Sequence, residues 1–174
     1  VTKSADNTVY PGITFSSIAG LSQFTYGGAN WEGDPTVNLH NEKARIYAYY
    51  PVNVNPTYVA GGTQHTIPVS ISADQTFDGA NTWNCSVTDY LYGSAQQATD
   101  SPITASNQSF KPSIWMRHAL AQVVFKMQSR DGRPVDAHDY IKKITMSTTG
   151  GTHFSTGTGT MLINDGTMKL SVTD

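Results

Sequence analysis

The sequence predicts an all-β fold, a sandwich of antiparallel strands with long connections, and three observations predict it. Apolar and polar residues alternate with a period of two in the longest patterned runs. Dipeptides that supply positive φ fall between such runs, at Gly27-Gly28 and Asp165-Gly166. Only 14% of the residues are charged, and Ser and Thr fill most polar positions, which suits pleated strands better than helices. A chain of 174 residues is long enough to bury about 70% of its unfolded surface. One domain over residues 1–174 is therefore expected.

The elements follow in chain order. Gln23, Phe24, Thr25 and Tyr26, then Gly27-Gly28, then Ala29, Asn30 and Trp31 read as a hairpin. In KARIYAYYPVN, residues 43–53, Arg45, Tyr47 and Tyr49 alternate with Ile46, Ala48 and Tyr50, and Pro51 stops the run, so one sandwich strand is expected there. Residues 53–63 hold Pro56 and Gly61-Gly62 and read as a loop. Residues 65–71 alternate around Pro68; a proline has no N–H, which makes this an edge or irregular strand. Residues 95–113 are rich in Gln, Ser and Thr with two prolines and read as a second loop. The run 115–127 places Trp115, Ala119, Ala121, Val123, Phe125 and Met127 on one side and predicts a long strand with one covered face. A turn at 129–134, one or two helical turns at 136–144, and a hairpin at 161–170 complete the chain.

The search for chemistry mostly excludes. Net charge is -2 and no Lys/Arg run occurs, so the electrostatic footprint of a nucleic-acid binder is missing. Cys85 is the one cysteine, which leaves no intrachain disulfide or cysteine-based metal site and reads as a quiet thiol. No apolar run approaches the length of a membrane span, and no signal segment is visible. Gly157-Thr158-Gly159 continues into Thr160-Met161-Leu162, so it opens a strand and cradles no phosphate. The five histidines lack zinc spacing. His118 falls in an apolar run and reads as a satisfied core or interface histidine, and Asp136-Ala137-His138-Asp139 as a solvated cap. No carboxylate spacing promotes a glycosidase pair. No catalytic, cofactor-binding or metal residues are assigned. Trp31, Trp83 and Trp115 suit a sandwich core, or else a platform for sugar rings.

Three strings stand in order. They are Ala44-Arg45-Ile46-Tyr47-Ala48-Tyr49-Tyr50-Pro51, Asp89-Tyr90-Leu91-Tyr92-Gly93-Ser94-Ala95, and Met116-Arg117-His118-Ala119-Leu120-Ala121 continued through Phe125. Together they resemble the N-terminal lobe of the fimbrillin-like (Mfa-like) family of Bacteroidetes surface proteins, whose lobe carries an AYYP strand, a DYLYG segment and an HALA strand in that order. The resemblance covers about residues 9–172. It implies a transthyretin-like antiparallel β-sandwich that is one lobe of a longer protein. It also implies export to the cell surface, or outer membrane, as a lipoprotein precursor, and a place in a fimbrium, a type V pilus or a related adhesive assembly. The family has no catalytic residues to carry over. Tyr47, Ala48, Tyr49, Tyr50, Pro51, Asp89, Tyr90, Leu91, Tyr92, Gly93, His118, Ala119, Leu120 and Ala121 are its scaffold motifs.

The function the resemblance implies is non-enzymatic: a structural or adhesion subunit that assembles by adding a strand of one subunit to the sheet of the next. Its expected partners are other pilus subunits, with a host or microbial surface protein or glycan as receptor and no nucleic acid. The acceptor edge is expected beside residues 9–15 or the 161–170 hairpin. The alternative is a carbohydrate-binding β-sandwich module of the cell surface.

Overall fold

The computed structural model describes residues 1–72, 77–78, 84–85, 88–94, 103–108, 113–121, 123, 125, 143–145 and 156–171. Its elements, in chain order, begin with β1 (Thr2–Lys3), β2 (Thr14–Phe15), β3 (Ile18–Ala19), β4 (Gln23–Tyr26) and β5 (Trp31–Asp34). Next come β6 (Ala44–Ile46), β7 (Ala48–Tyr50), β8 (Thr66–Ile71), β9 (Phe77–Asp78) and β10 (Asn84–Cys85). The last are β11 (Leu91–Ser94), β12 (Ile103–Ala105), β13 (Trp115–His118), β14 (Gly157–Leu162) and β15 (Met168–Leu170). The protein is all-β, and every strand pair among the described residues is antiparallel.

Two three-stranded sheets enclose the larger core. One has the order β15-β14-β8, the other β13-β11-β7. Ile67, Val69 and Ile71 of β8 and Met161 of β14 point inward from the first sheet, with Ile163 just beyond β14; Tyr90 and Tyr92 meet them from the second. Val69 sits between exposed Pro68 and Ser70, so β8 shows the half-buried alternation its sequence predicts. At about 1.5–3 kcal/mol per large apolar side chain, this cluster is the main stabilising mass of the fold. A smaller cluster, Tyr10, Ile13 and Ala44, lies by a third sheet of order β1-β6-β12. There the buried Tyr10 hydroxyl donates to Glu42 O at 3.1 Å and accepts from His40 N at 2.7 Å, so burial leaves it satisfied.

Both turn dipeptides do what their composition requires. Gly28 has φ 94° between β4 and β5, and Gly166 has φ 75° between β14 and β15. In the second turn Gly166 N donates to Leu162 O at 2.9 Å and Thr167 N to Asp165 Oδ1 at 2.9 Å. Gly159, in the stretch read as a strand opening, lies within β14; a Cβ there would run into the backbone of Lys169 and Leu170 on β15.

Three expectations are corrected. KARIYAYYPVN is two strands: β6 joins the β1-β6-β12 sheet and β7 the β13-β11-β7 sheet, with a break at Tyr47. Alternation continues through the break, so the period alone does not reveal that the chain changes sheets. The stretch 95–113 contains β12, which pairs with β6 from Ile103↔Ile46 to Ala105↔Ala44; tertiary pairing outweighs its loop-like composition. The run 115–127 is no continuous strand. β13 ends at His118, the chain bends at Ala119 and Leu120, and Trp115, Val123 and Phe125 are exposed. Ala119 N donates to Tyr90 O at 2.8 Å, and Ala119 and Leu120, beyond the strand end, pack on the core. The turn at 129–134 and the Asp136-Ala137-His138-Asp139 cap lie outside the described residues, as does most of 136–144; Lys143 and Ile144 have irregular backbone.

Candidate functional site: a sealed edge and an open edge

Part of each of the three strings meets in one sheet. Tyr50 pairs with Leu91, which pairs with His118; Tyr49 pairs with Tyr92, which pairs with Arg117; Ala48 pairs with Gly93, which pairs with Met116. Side chains alternate across this sheet. Tyr49 and Tyr92 pack on the core face, while Tyr50, Met116 and His118 are exposed on the other. Gly93 is buried, and a Cβ on it would lie 2.6–2.7 Å from Ile114 Cγ2, Ala48 Cβ and Met116 Sδ, so this crossing point admits only glycine without a shift. Pro51 follows β7 and is half-buried, and Ala121 is exposed. His118 is not a core residue: its side chain is 71% exposed, and Nδ1 lies 2.8 Å from Asp89 Oδ2.

Tyr90 ties the two core sheets together. Its hydroxyl accepts from Ser70 N at 2.8 Å and donates to Ser70 O at 3.2 Å. Ser70 therefore turns its backbone groups away from β14. Thr66 does the same: it exchanges two bonds with Thr57, at 2.7 and 3.1 Å, outside the sheet. Pro68 lies between them in the same alternation, so its missing N–H falls on the outer side and costs the β8–β14 ladder nothing. The β8 edge is thus closed along its length by Thr57, Pro68 and Tyr90.

The opposite edge is built differently. Ser171 N donates to Thr158 O at 2.8 Å, and Leu162 N to Thr167 O at 2.9 Å. Those bonds set the phase of the β14–β15 ladder, and the residues between, Met168 and Leu170, turn their N–H and C=O groups outward. Met168 and Leu170 pack on the buried cluster yet are only half-buried, while Lys169 between them is exposed. Among the described residues no strand pairs with the outer side of β15.

The other region expected to hold an acceptor is engaged locally. Val9 bridges Thr2, and Thr14 and Phe15 pair with Ala19 and Ile18. The aromatic residues fall on both sides of the sequence reading. Trp31 is 66% and Trp115 60% exposed, so neither fills a core; Trp83 lies outside the described residues. Tyr26 and Trp31, cross-strand partners on β4 and β5, contact each other at 5.5 Å with a 49° tilt.

A second polar centre went unread in the sequence. His65, 3% exposed, receives Val59 N on Nδ1 at 3.2 Å. It stacks on Tyr58 at 5.2 Å and meets Tyr47 edge-on at 5.0 Å. His65 Nε2 is buried without a hydrogen-bond partner, and Thr2 and Arg45 lie beside the buried Tyr47 hydroxyl. Burial, with the positive α-amino group as a second cause, pushes the His65 imidazole below its usual range. Burial likewise raises the Tyr47 phenol. No local signal marks His65, because its partners come from Tyr47, Tyr58 and Val59.

The fold and these edges define the chain as an all-β protein built on two facing antiparallel sheets. Comparison with known protein families, with curated proteins and with solved structures returned no match. No helix among the described residues is long and apolar enough to cross a membrane.

Proposed function

We propose that this protein is a non-enzymatic structural or adhesion component of a cell surface, of the fimbrillin-like kind, that joins its neighbours by β-strand addition at β15. The observation that carries this reading is the asymmetry of the core sheet. Its β8 edge is closed by Thr57, Pro68 and Tyr90, whereas β15 directs the backbone groups of Met168 and Leu170 outward among the described residues. Exposed strand edges invite pairing with another chain, and natural proteins blunt those that are not used. A donor strand would satisfy the outward N–H and C=O groups and cover the half-exposed Met168 and Leu170. Four or five apolar side chains buried by such a strand would contribute on the order of 10 kcal/mol before the entropy of ordering it is subtracted. The pairing of Ala48–Tyr50 of the AYYP string with Leu91–Gly93 of the DYLYG string, and of these with β13, which ends at the first residue of HALA, supports the family reading.

The test compares two substitutions at one position. Leu170→Ala keeps the outward N–H and loses part of a side chain; Leu170→Pro removes the N–H as well. Both face away from the β14 ladder, and circular dichroism checks that each is folded. Strand addition predicts SDS-resistant multimers from the protease-trimmed wild type and from Leu170→Ala, and none from Leu170→Pro. Equal multimer formation by the proline variant, or none by the wild type, refutes the reading.

A second reading, carbohydrate binding, draws on Tyr26 and Trp31, which are exposed side by side on one hairpin face. Their tilt gives a twisted platform where stacking on one sugar ring favours a flat one. A glycan array probed with wild type and Trp31→Ala decides it: glycan signals lost in the variant establish this reading, and their absence removes it.

A further inference from the structure

Residues 57–66 form a closed loop whose ends are pinned by the two Thr57–Thr66 backbone bonds. Inside it, His65 Nδ1 accepts the Val59 N–H at 3.2 Å, and the Tyr58 ring stacks on the imidazole with a 20° interplanar angle. The loop also reaches the N-terminal turn. Tyr58 Oη donates to Asn7 O at 2.7 Å, Asn7 Nδ2 to Gly61 O at 3.4 Å, and Arg45 Nη1 to Asn7 Oδ1 at 2.6 Å. Asn7 is in the left-handed region with φ 57°, a conformation its side chain and these partners hold in place. One imidazole therefore stands behind the surface on which the loop docks.

The bond from Val59 settles the protonation state. An accepting Nδ1 carries no proton, so neutral His65 bears its hydrogen on Nε2. A proton added to Nδ1 would set two donors against each other at the Val59 amide. It would also place a charge on a residue that is only 3% exposed. The groups facing His65 give that charge little relief. Tyr47 comes from the β6–β7 junction with Arg45 near its hydroxyl, Tyr58 from the loop, and the Val1 α-amino group from just before β1, while Ile163 N–H bonds His65 O at 3.0 Å. Arg45 is a cation, and the Val1 amine, its pKa lowered by burial to about 6, gains its charge over the same acid range. No carboxylate is among these groups, and the Tyr58 ring face favours an imidazolium.

We propose that His65 is an acid-sensitive latch: neutral, it holds the 57–65 loop against the N-terminal turn through Val59 and Tyr58, and protonation at Nδ1 releases the loop. The sign follows from the direction in which burial moves the group. The folded form takes its proton at lower pH than an unfolded chain does. The docked state is therefore fully stable above the ordinary imidazole range and loses stability as pH falls through and below it. The β15-β14-β8 sheet that follows the loop carries no histidine in its ladder, so release is local to the loop.

Hydrogen–deuterium exchange of the whole chain at about pH 7.5 and about pH 5, corrected for intrinsic rates, tests the latch. Peptides covering 57–65 are expected to lose about tenfold in protection at the lower pH, while residues 67–71 of β8 and all of β14 keep theirs. His65→Asn retains an acceptor near the Nδ1 position and does not titrate, so its loop is expected to stay protected at both values. Loss of protection in His65→Asn equal to the wild type overturns the proposal, as does wild-type protection that does not change with pH. Should His65→Asn not fold, the wild type decides alone by nuclear magnetic resonance. The Val59 amide shift must then follow the His65 ring titration, and a Val59 amide indifferent to that titration overturns the latch.

Discussion

The Tyr90 hydroxyl grips both backbone groups of Ser70, accepting from its N–H at 2.8 Å and donating to its carbonyl at 3.2 Å. Tyr90 is itself buried in the core, so one side chain packs between the sheets and closes the edge of one of them. Tyr90→Phe keeps the packing and removes the clamp. The expected cost is about 1 kcal/mol, because Ser70 is exposed and water can take over part of the bonding. Urea unfolding should show a lower midpoint at unchanged slope. Sedimentation should also reveal more self-association than in the wild type, since the β8 edge is then open.

Gly93 sits where β7, β11 and β13 cross with no room for a side chain. A methyl group there would approach Ile114, Ala48 and Met116 to 2.6–2.7 Å, which predicts a loss of about 1–3 kcal/mol for Gly93→Ala. Met116 is the flexible neighbour. Combining Gly93→Ala with Met116→Ala should recover part of the loss, and a double-mutant cycle in urea would measure that coupling.

The His118–Asp89 pair joins two of the three strings but is exposed on both sides, at 71% and 47%. Exposed pairs contribute about 0.2–1 kcal/mol and are screened by salt. Asp89→Asn should therefore shift thermal stability only slightly, and the difference should vanish at about 1 M salt. A large effect that persisted in salt would mean the pair has a role its geometry does not explain.

Burial against the core pushes the Tyr49 phenol up to about 12 from its ordinary value of 10.0. The folded protein thus keeps Tyr49 neutral where an unfolded chain ionises it. Between these values the unfolded state is favoured progressively, so stability falls as pH rises from 10 toward 12. Tyr49→Phe should flatten that alkaline decline in chemical denaturation. Phenolate absorbance should show one fewer late-titrating tyrosine.

Met161 is fully buried in the central strand of its sheet, and Trp115 is mostly exposed on β13. Met161→Ala is expected to cost about 2–5 kcal/mol. Trp115→Ser, despite removing a larger side chain, should stay within about 0.5 kcal/mol of the wild type. Thermal unfolding of the two variants would reverse the order that residue size suggests.

Much of the fold was legible where the signal is local. The alternation around Pro68 placed Ile67, Val69 and Ile71 on one face, and the proline marked the segment as an edge or irregular strand; it is an edge. Asp165-Gly166 and Gly27-Gly28 located two hairpins because positive φ is a property of the residue itself. The same logic failed for 115–127, where alternation implies two unlike faces and does not say which meets the core. It failed again at Tyr47, where one alternating string serves two sheets, and at 103–105, where polar composition concealed β12.

By itself, then, the sequence determined that this chain is built from strands, where several of them turn, and which residues of β8 share a face, because these follow from backbone preferences acting over a few residues. Only the tertiary structure decided that Tyr90 would close one edge, that Met168 and Leu170 would leave another open, and that His65 would be buried between Tyr47 and Tyr58. Each of those outcomes is a contact between residues far apart in the chain, or the lack of one among the described residues. The free energy of such contacts depends on which surfaces meet when the sheets pack, and no local pattern carries that information.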